Sequence, residues 1–246
     1  TGKDEPAVRA VNFKPRPWLE FGLSRTAQWC GEGRPCGWGT FKDLLIGNDN
    51  SDANLGTNDE PGNQMAGYDF RLRSPWRPLP LALYGQFIGE DEAGGLPAKF
   101  LGQLGAESWA STPWGALRGH FEYADTSCNF TRSRPMLGCA YRNHLYPQGY
   151  TFRGHSIGHA MGGDGRMYSL GSLLVRPNGD SLSVLLRKVE LNRGGAASNR
   201  LKNIEVQYNR PFARGELRLG LGYNDFDIEP TDGADFTGFI EWRQGI

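Results

Sequence analysis

Gly154-His155-Ser156-Ile157-Gly158 has the G-x-S-x-G spacing that, in lipases and esterases, sets a nucleophilic serine on a strained turn. That chemistry needs an apolar strand before the turn, a helix behind it and a downstream histidine to take the serine proton. Tyr150-Thr151-Phe152-Arg153 is not an apolar run, and Gly162, Gly163 and Gly165 disfavour a helix after Ser156. Of the four histidines, His120, His144, His155 and His159, only His159 follows the serine, three residues on. A triad arm cannot return over so short a distance. The segment is therefore expected to be structural, and the chain is expected not to be an enzyme.

The remaining chemical spacings are weaker. His155 and His159 are four apart, as metal ligands on a helix can be, but the glycines oppose a helix and Ser156 stands where H-E-x-x-H has glutamate. Asn48-Asp49-Asn50-Ser51-Asp52 starts like a calcium loop, yet Ala53 replaces the glycine at the sixth position and Asp59 falls where the glutamate belongs. Glu122 and Asp125 could pair as glycosidase carboxylates, but nothing in the sequence sets their separation. Neither a metal nor a cofactor is expected. The four cysteines fall as close pairs, Cys30 with Cys36 and Cys128 with Cys139, with no C-x-x-C spacing for zinc. Two short-loop disulfides are favoured, which implies an oxidising compartment.

The 246 residues carry 27 basic and 27 acidic side chains, so the composition holds no electrostatic signature of nucleic-acid binding. The 35 glycines, a mean hydropathy of -0.53 and the lack of any run of eighteen apolar residues argue against a helical membrane protein. Thr1 opens a polar stretch without a signal peptide, as expected of a mature chain, a trimmed one or a fragment.

Period-two alternation dominates instead. Leu217, Leu219, Leu221 and Tyr223 share one strand face, with polar residues or glycine on the other, and Ile204, Val206 and Tyr208 repeat the pattern. Eleven strands are predicted, near 7–13, 18–29, 65–73, 79–89, 98–110, 115–126, 166–176, 181–191, 200–209, 215–226 and 235–243. Short connections alternate with longer ones at 30–64, 90–97, 127–165, 192–199 and 227–234, which puts all the long loops at one end. Such asymmetry belongs to transmembrane antiparallel β-barrels. The whole chain, 1–246, is expected to be one all-β barrel domain.

Leu19, Phe21 and Leu23, Tyr68, Phe70 and Leu72, and Leu81, Leu83 and Phe87 join Leu217, Leu219 and Leu221 as the expected lipid-facing sets. Glu20, Ser24, Asp69, Arg71, Arg73, Arg118, His120 and Glu122 would face a watery interior. Trp18, Trp76, Trp109, Trp114 and Phe212 gather by the short turns like an interfacial girdle. Arg25 shares parity with Leu23; either it lies near the interface or a bulge resets the register. In the first long loop, Thr40 and Asp43 resemble a capping box, Phe41, Leu44 and Leu45 have helical spacing to pack the loop onto the barrel mouth, and Gly47 is placed to end the helix.

The run WLEFGLSRTAQWCGEGRPCGWGTFKDLLIGNDN, residues 18 to 50, resembles the Wzi capsule-assembly family of bacterial outer-membrane proteins, and YTFRGHSIGHAMGGDGRMYSLG, residues 150 to 171, resembles a second segment of it. The resemblance implies a barrel of about eighteen strands, of which this chain would be the C-terminal part. It further implies a lectin in the outer membrane that contacts lipid and binds capsular or extracellular polysaccharide, with a monomeric barrel the expectation. Trp38, Tyr141 and Tyr146 could stack on sugar faces, and Arg34, Arg142 and Asp49 could hydrogen-bond hydroxyls or carboxylates. The family motif itself assigns none of these roles. A general porin passing small solutes is the alternative.

Overall fold

The computed structural model describes residues 5–30, 35–46, 62–76, 78–93, 96–142, 149–153, 155–195 and 199–244. The strands are β1 (Glu5–Arg16), β2 (Leu19–Trp29), β3 (Gly62–Arg73), β4 (Leu81–Ala93), β5 (Leu96–Thr112), β6 (Gly115–Asp125), β7 (Thr151–Phe152), β8 (His155–Ser156), β9 (Arg166–Val175), β10 (Ser181–Leu191), β11 (Asn199–Phe212), β12 (Gly215–Ile228) and β13 (Thr231–Gln244), with one helix, α1 (Trp38–Ile46). Eleven strands form one sheet in chain order, from β1 to β6 and then β9 to β13, and β7 and β8 pair separately. All eleven predicted strands are present in this sheet.

Two predicted long connections are corrected. The chain passes from β4 to β5 through residues 94–95, not 90–97, and from β12 to β13 through Glu229 and Pro230, not 227–234. Polar residues continue the ladder there. Alternation marks strands only where one face is apolar, whereas backbone pairing needs no such contrast. The helix also starts earlier than the capping pattern implies: Phe41 N already bonds Gly37 O at 3.1 Å, so Thr40 lies inside the first turn. The expected packing of Leu44 and Leu45 and the stop at Gly47 lie outside the described residues.

The chain divides into two compact units. One comprises Arg71–Gly85, Gln103–Asp125 and Gly165–Ile246. Its cross-strand register aligns Leu182, Tyr208 and Leu219, then Val184, Val206 and Leu221, then Leu186, Ile204 and Tyr223. This face is apolar and open, with Leu221 72 % exposed. On β10, β11 and β12 the apolar run stops at a charge, Lys188, Lys202 and Asp225, which are register neighbours. Lys202 is paired with Asp225 at 2.8 Å and Lys188 with Glu190 at 3.2 Å. At the short-turn end, Trp76, Trp114, Phe212 and Trp242 are exposed. An open apolar stripe bounded in this way matches the lipid-facing band of a transmembrane barrel wall.

The opposite face of the same unit is a polar network. Glu107, almost fully buried, accepts from both Arg71 and Arg118, and Tyr84 donates to Glu122 at 2.7 Å. Arg187, Asn203, Asn224 and Asp235, opposite one another on four strands, join through bonds of 3.1, 2.7 and 2.7 Å. Three rings lie flat over glycines of the next strand, Tyr84 on Gly105, His120 on Gly171 and Phe239 on Gly220. Each ring fills the space a Cβ would take, so these glycines are required by close approach.

The other unit comprises Thr1–Phe70, Gln86–Gly102 and Thr126–Asp164. Phe21 stacks on Tyr68 at 6.4 Å and Tyr68 on Phe87 at 5.1 Å, an aromatic row across β2, β3 and β4 within this unit. Arg25 remains on the face of Leu23: the only register shift between β1 and β2 lies at Phe13 and Arg16. Its Nε bonds Gln64 Oε1 at 2.8 Å. No bulge between β1 and β2 resets Arg25, and it ends the apolar run of β2 as Lys202 ends that of β11.

Candidate functional site: the long-loop segments

Segment 126–164 folds as a small body within its unit. Cys128, buried with Leu101 and Ala140, is disulfide-bonded to Cys139, and Ile88 and Tyr141 pack against this cluster. The ends of the disulfide loop also pair as backbone, Cys128 N to Met136 O at 3.1 Å and the reverse at 2.8 Å. Both carboxylate oxygens of buried Asp164 accept the Gly138 N–H at 2.9 Å, while Asp164 N donates to Thr126 O at 3.2 Å. Gln28, fully buried on β2, donates to the carbonyls of Gly149 and Thr151 at 3.3 and 3.1 Å. The segment is thus tied to a strand more than a hundred residues away in sequence. Peptide mapping without reduction is expected to recover Cys30 joined to Cys36 and Cys128 to Cys139, the pairs found here. Cys128→Ser with Cys139→Ser should loosen the loop by roughly 2 to 3 kcal/mol, read as faster amide exchange at Gly138 and Ala140.

Tyr141 is central to this packing. Its ring stacks on Tyr150 at 6.0 Å and covers Gly158, and its hydroxyl accepts His159 N–H at 3.0 Å. Burial pushes its phenol up to about 12 and holds the His159 imidazole below its usual range, favouring the neutral ring. His159 Nδ1 accepts from Met161 N at 3.2 Å, and Ser156 Oγ accepts from Gly158 N at 3.3 Å. Ser156 sits in the β7–β8 hairpin, opposite Thr151, and turns rather than a helix follow it. The strand-turn-helix geometry of a nucleophile elbow is not built here.

In the other unit, Asp125 closes β6 and is wholly buried. Its carboxylate accepts from Arg166 Nε at 3.0 Å, from Arg193 at 2.5 Å and from the Tyr123 hydroxyl at 3.0 Å. Arg193 follows β10, so this cluster fixes the β10–β11 connection to the end of β6. On the polar face of β6 and β9 to β13 lies a groove of about 500 Å³, lined among others by His120, Ser183, Asn203, Gln207 and Phe239.

The anticipated contact residues separate into kinds. Trp38 is 80 % exposed at the start of α1, its indole 5.3 Å from the Phe41 ring. Arg142 is exposed, whereas Tyr141 spends one ring face on Tyr150. Arg34, Asp49 and Tyr146 lie outside the described residues, as does the loop beginning Asn48-Asp49. Asp164, Gln28, Arg132 and Arg134 were not anticipated. A Gly-Gly-Asp-Gly run, residues 162 to 165, was the one local signal for Asp164, since an aspartate in the left-handed region (φ 60°) often takes backbone donors.

A consecutive antiparallel sheet with an open apolar face, an aromatic fringe at its short turns, a hydrogen-bonded polar face and folded long loops defines the class of outer-membrane β-barrels. Residues 6–237 match the family described as capsule assembly protein Wzi, and the chain belongs to that family. It is 38 % identical over 241 residues to an uncharacterized 55.8 kDa protein in the cps region of Klebsiella pneumoniae, covering 93 % of this chain and 46 % of that protein. Its fold is similar, with a TM-score of 0.73 and 26 % identity, to the solved structure of Wzi, an outer membrane protein involved in group 1 capsule assembly in Escherichia coli and a carbohydrate-binding β-barrel. That match covers 97 % of this chain and 52 % of the other. The chain spans about half the length of the relatives it matches. Its place is the bacterial outer membrane.

Proposed function

We propose that this chain is the polysaccharide-holding part of an outer-membrane lectin, a monomeric barrel whose long loops face the cell exterior and keep capsular polymer at the surface without cleaving it. The observation that carries the reading is segment 126–164, a loop body cross-linked by a disulfide and two buried polar anchors, Asp164 and Gln28, on a scaffold of the Wzi family. A loop held this firmly loses little entropy on binding, which suits a weak contact repeated along a polymer. Trp38 offers an open ring face for a sugar, with Arg142 as a hydrogen-bond donor nearby in sequence to the packed ring of Tyr141. Arg34, Asp49 and Tyr146 complete the proposed contact set. Tyr141 contributes by positioning the loop.

Binding of capsule fractions to the intact detergent-purified protein tests this. Trp38→Ala is expected to weaken binding about 3- to 10-fold, the worth of one stacked ring. Ser156→Ala should change neither binding nor polymer length. Unaltered binding by Trp38→Ala would remove the ring from the site, and polymer shortening abolished by Ser156→Ala would replace the lectin by a hydrolase.

A further inference from the structure

Acidic residues make up 27 of the 246 positions, so a stretch of 38 would hold about four. From Thr126 to Gly163 there is none, while Arg132, Arg134, Arg142 and Arg153 all fall inside. The carboxylates that flank this stretch are both buried. Asp125 is buried against Arg166 and Arg193, and Asp164 is buried on the Gly138 N–H. The four arginines are exposed, and no ion pair of theirs occurs among the described residues. Three of them bracket the disulfide loop: Arg132 and Arg134 lie on its exposed rim, with hydroxyls at Thr131 and Ser133, and the Arg142 guanidinium approaches Gly138. A chain of zero net charge thus concentrates positive charge on a disulfide-bonded loop.

We propose that Arg132, Arg134 and Arg142 form a receptor for the carboxylates of an acidic, uronate-type polysaccharide. The inference rests on the polysaccharide reading above and names the chemistry of that polymer. Guanidinium forks match carboxylates in bidentate geometry, and adjacent hydroxyls suit the sugar ring that carries the acid. Lipid phosphate is the competing anion. Against it, the lysines that border the apolar face, Lys188 and Lys202, are already paired with Glu190 and Asp225. The segment, moreover, is anchored through the face opposite Phe21 and Leu23 by Gln28, Ile88 and Leu101, and the Phe130 ring meets that of Phe87.

The test uses the intact protein in detergent, with alginate as the polyuronate, the same alginate after carboxyl reduction, and lipid A micelles. The parent should bind alginate at least about tenfold more tightly than the reduced polymer and lose that preference in high salt. The triple variant Arg132→Gln, Arg134→Gln, Arg142→Gln should bind alginate about 30-fold or more weakly, yet match the parent on the reduced polymer. Unchanged amide protection at Gly138 verifies that its loop is folded. Parent-like alginate binding by the triple variant overturns the receptor, as does equal binding of both polymers by the parent; either leaves the lectin reading intact. Loss of lipid A binding, with no alginate binding to lose, assigns the arginines to lipid and overturns the proposal. Failure of the parent to bind alginate, reduced alginate or capsule fractions overturns the lectin reading itself.

Discussion

Leu221→Arg is expected to prevent assembly into outer membrane, whereas Gln207→Arg, on the other face of the neighbouring strand, is expected to be tolerated. Leu221 is already 72 % exposed and its register partner is Val206, so in water an arginine would lose almost no packing. In a bilayer the same change places a cation on the lipid face between Leu219 and Tyr223, at a cost of roughly 2 to 4 kcal/mol at the midplane. Gln207 pairs with Ser183 and Gly220 and lines the polar groove, where an added guanidinium meets water and amides. Heat-modifiable mobility of membrane fractions separates the two. Equal assembly of both variants would mean that the face of Leu221 is not lipid-facing.

Asp125→Leu is expected to be the most damaging single change at the long-loop end. It removes the shared acceptor of Arg166 and Arg193 and breaks the ion pair of the largely buried Arg193 guanidinium with Asp125. Breaking a buried pair from one side costs about 3 to 5 kcal/mol. Amide exchange along the β10–β11 connection and at the end of β6 should rise by a factor of a hundred or more, with the apolar face unaltered. Adding Arg193→Leu should restore part of the loss, because the Arg193 charge that Asp125 met is then no longer buried. Additive losses in the double variant would show that Asp125 and Arg193 act independently.

The strands were legible because lipid imposes a contrast on the sequence. Leu217, Leu219, Leu221 and Tyr223 had to be apolar, and the glycines and polar groups between them had to be otherwise, so period two survived in the text of the chain. Where that solvent ends, so does the signal. β4 runs through Glu90, Asp91 and Glu92, and β12 through Asp225 and Asp227, yet neither stretch carries a one-sided pattern. The cysteine pairs were legible from spacing alone. The loop anchors were not, since Gln28 meets Gly149 and Thr151 across more than a hundred residues, and Tyr141 acquires its role only when Tyr150 and Gly158 arrive beside it. An aromatic residue in a loop reads the same whether it will hold a sugar or another tyrosine.

The bounded apolar stripe has a mechanical consequence for any load on the long loops. A tug on the loops along the membrane normal would draw Leu186, Ile204 and Tyr223 toward water and pull the tryptophans of the short turns into hydrocarbon. Each ångström of travel adds solvated apolar area, so a restoring force acts from the first displacement. A push the other way would carry the Lys202–Asp225 and Lys188–Glu190 pairs into lipid, where ions are costly. The stripe is therefore held about one depth, and a load on the loops is borne along the whole stripe rather than by any single contact.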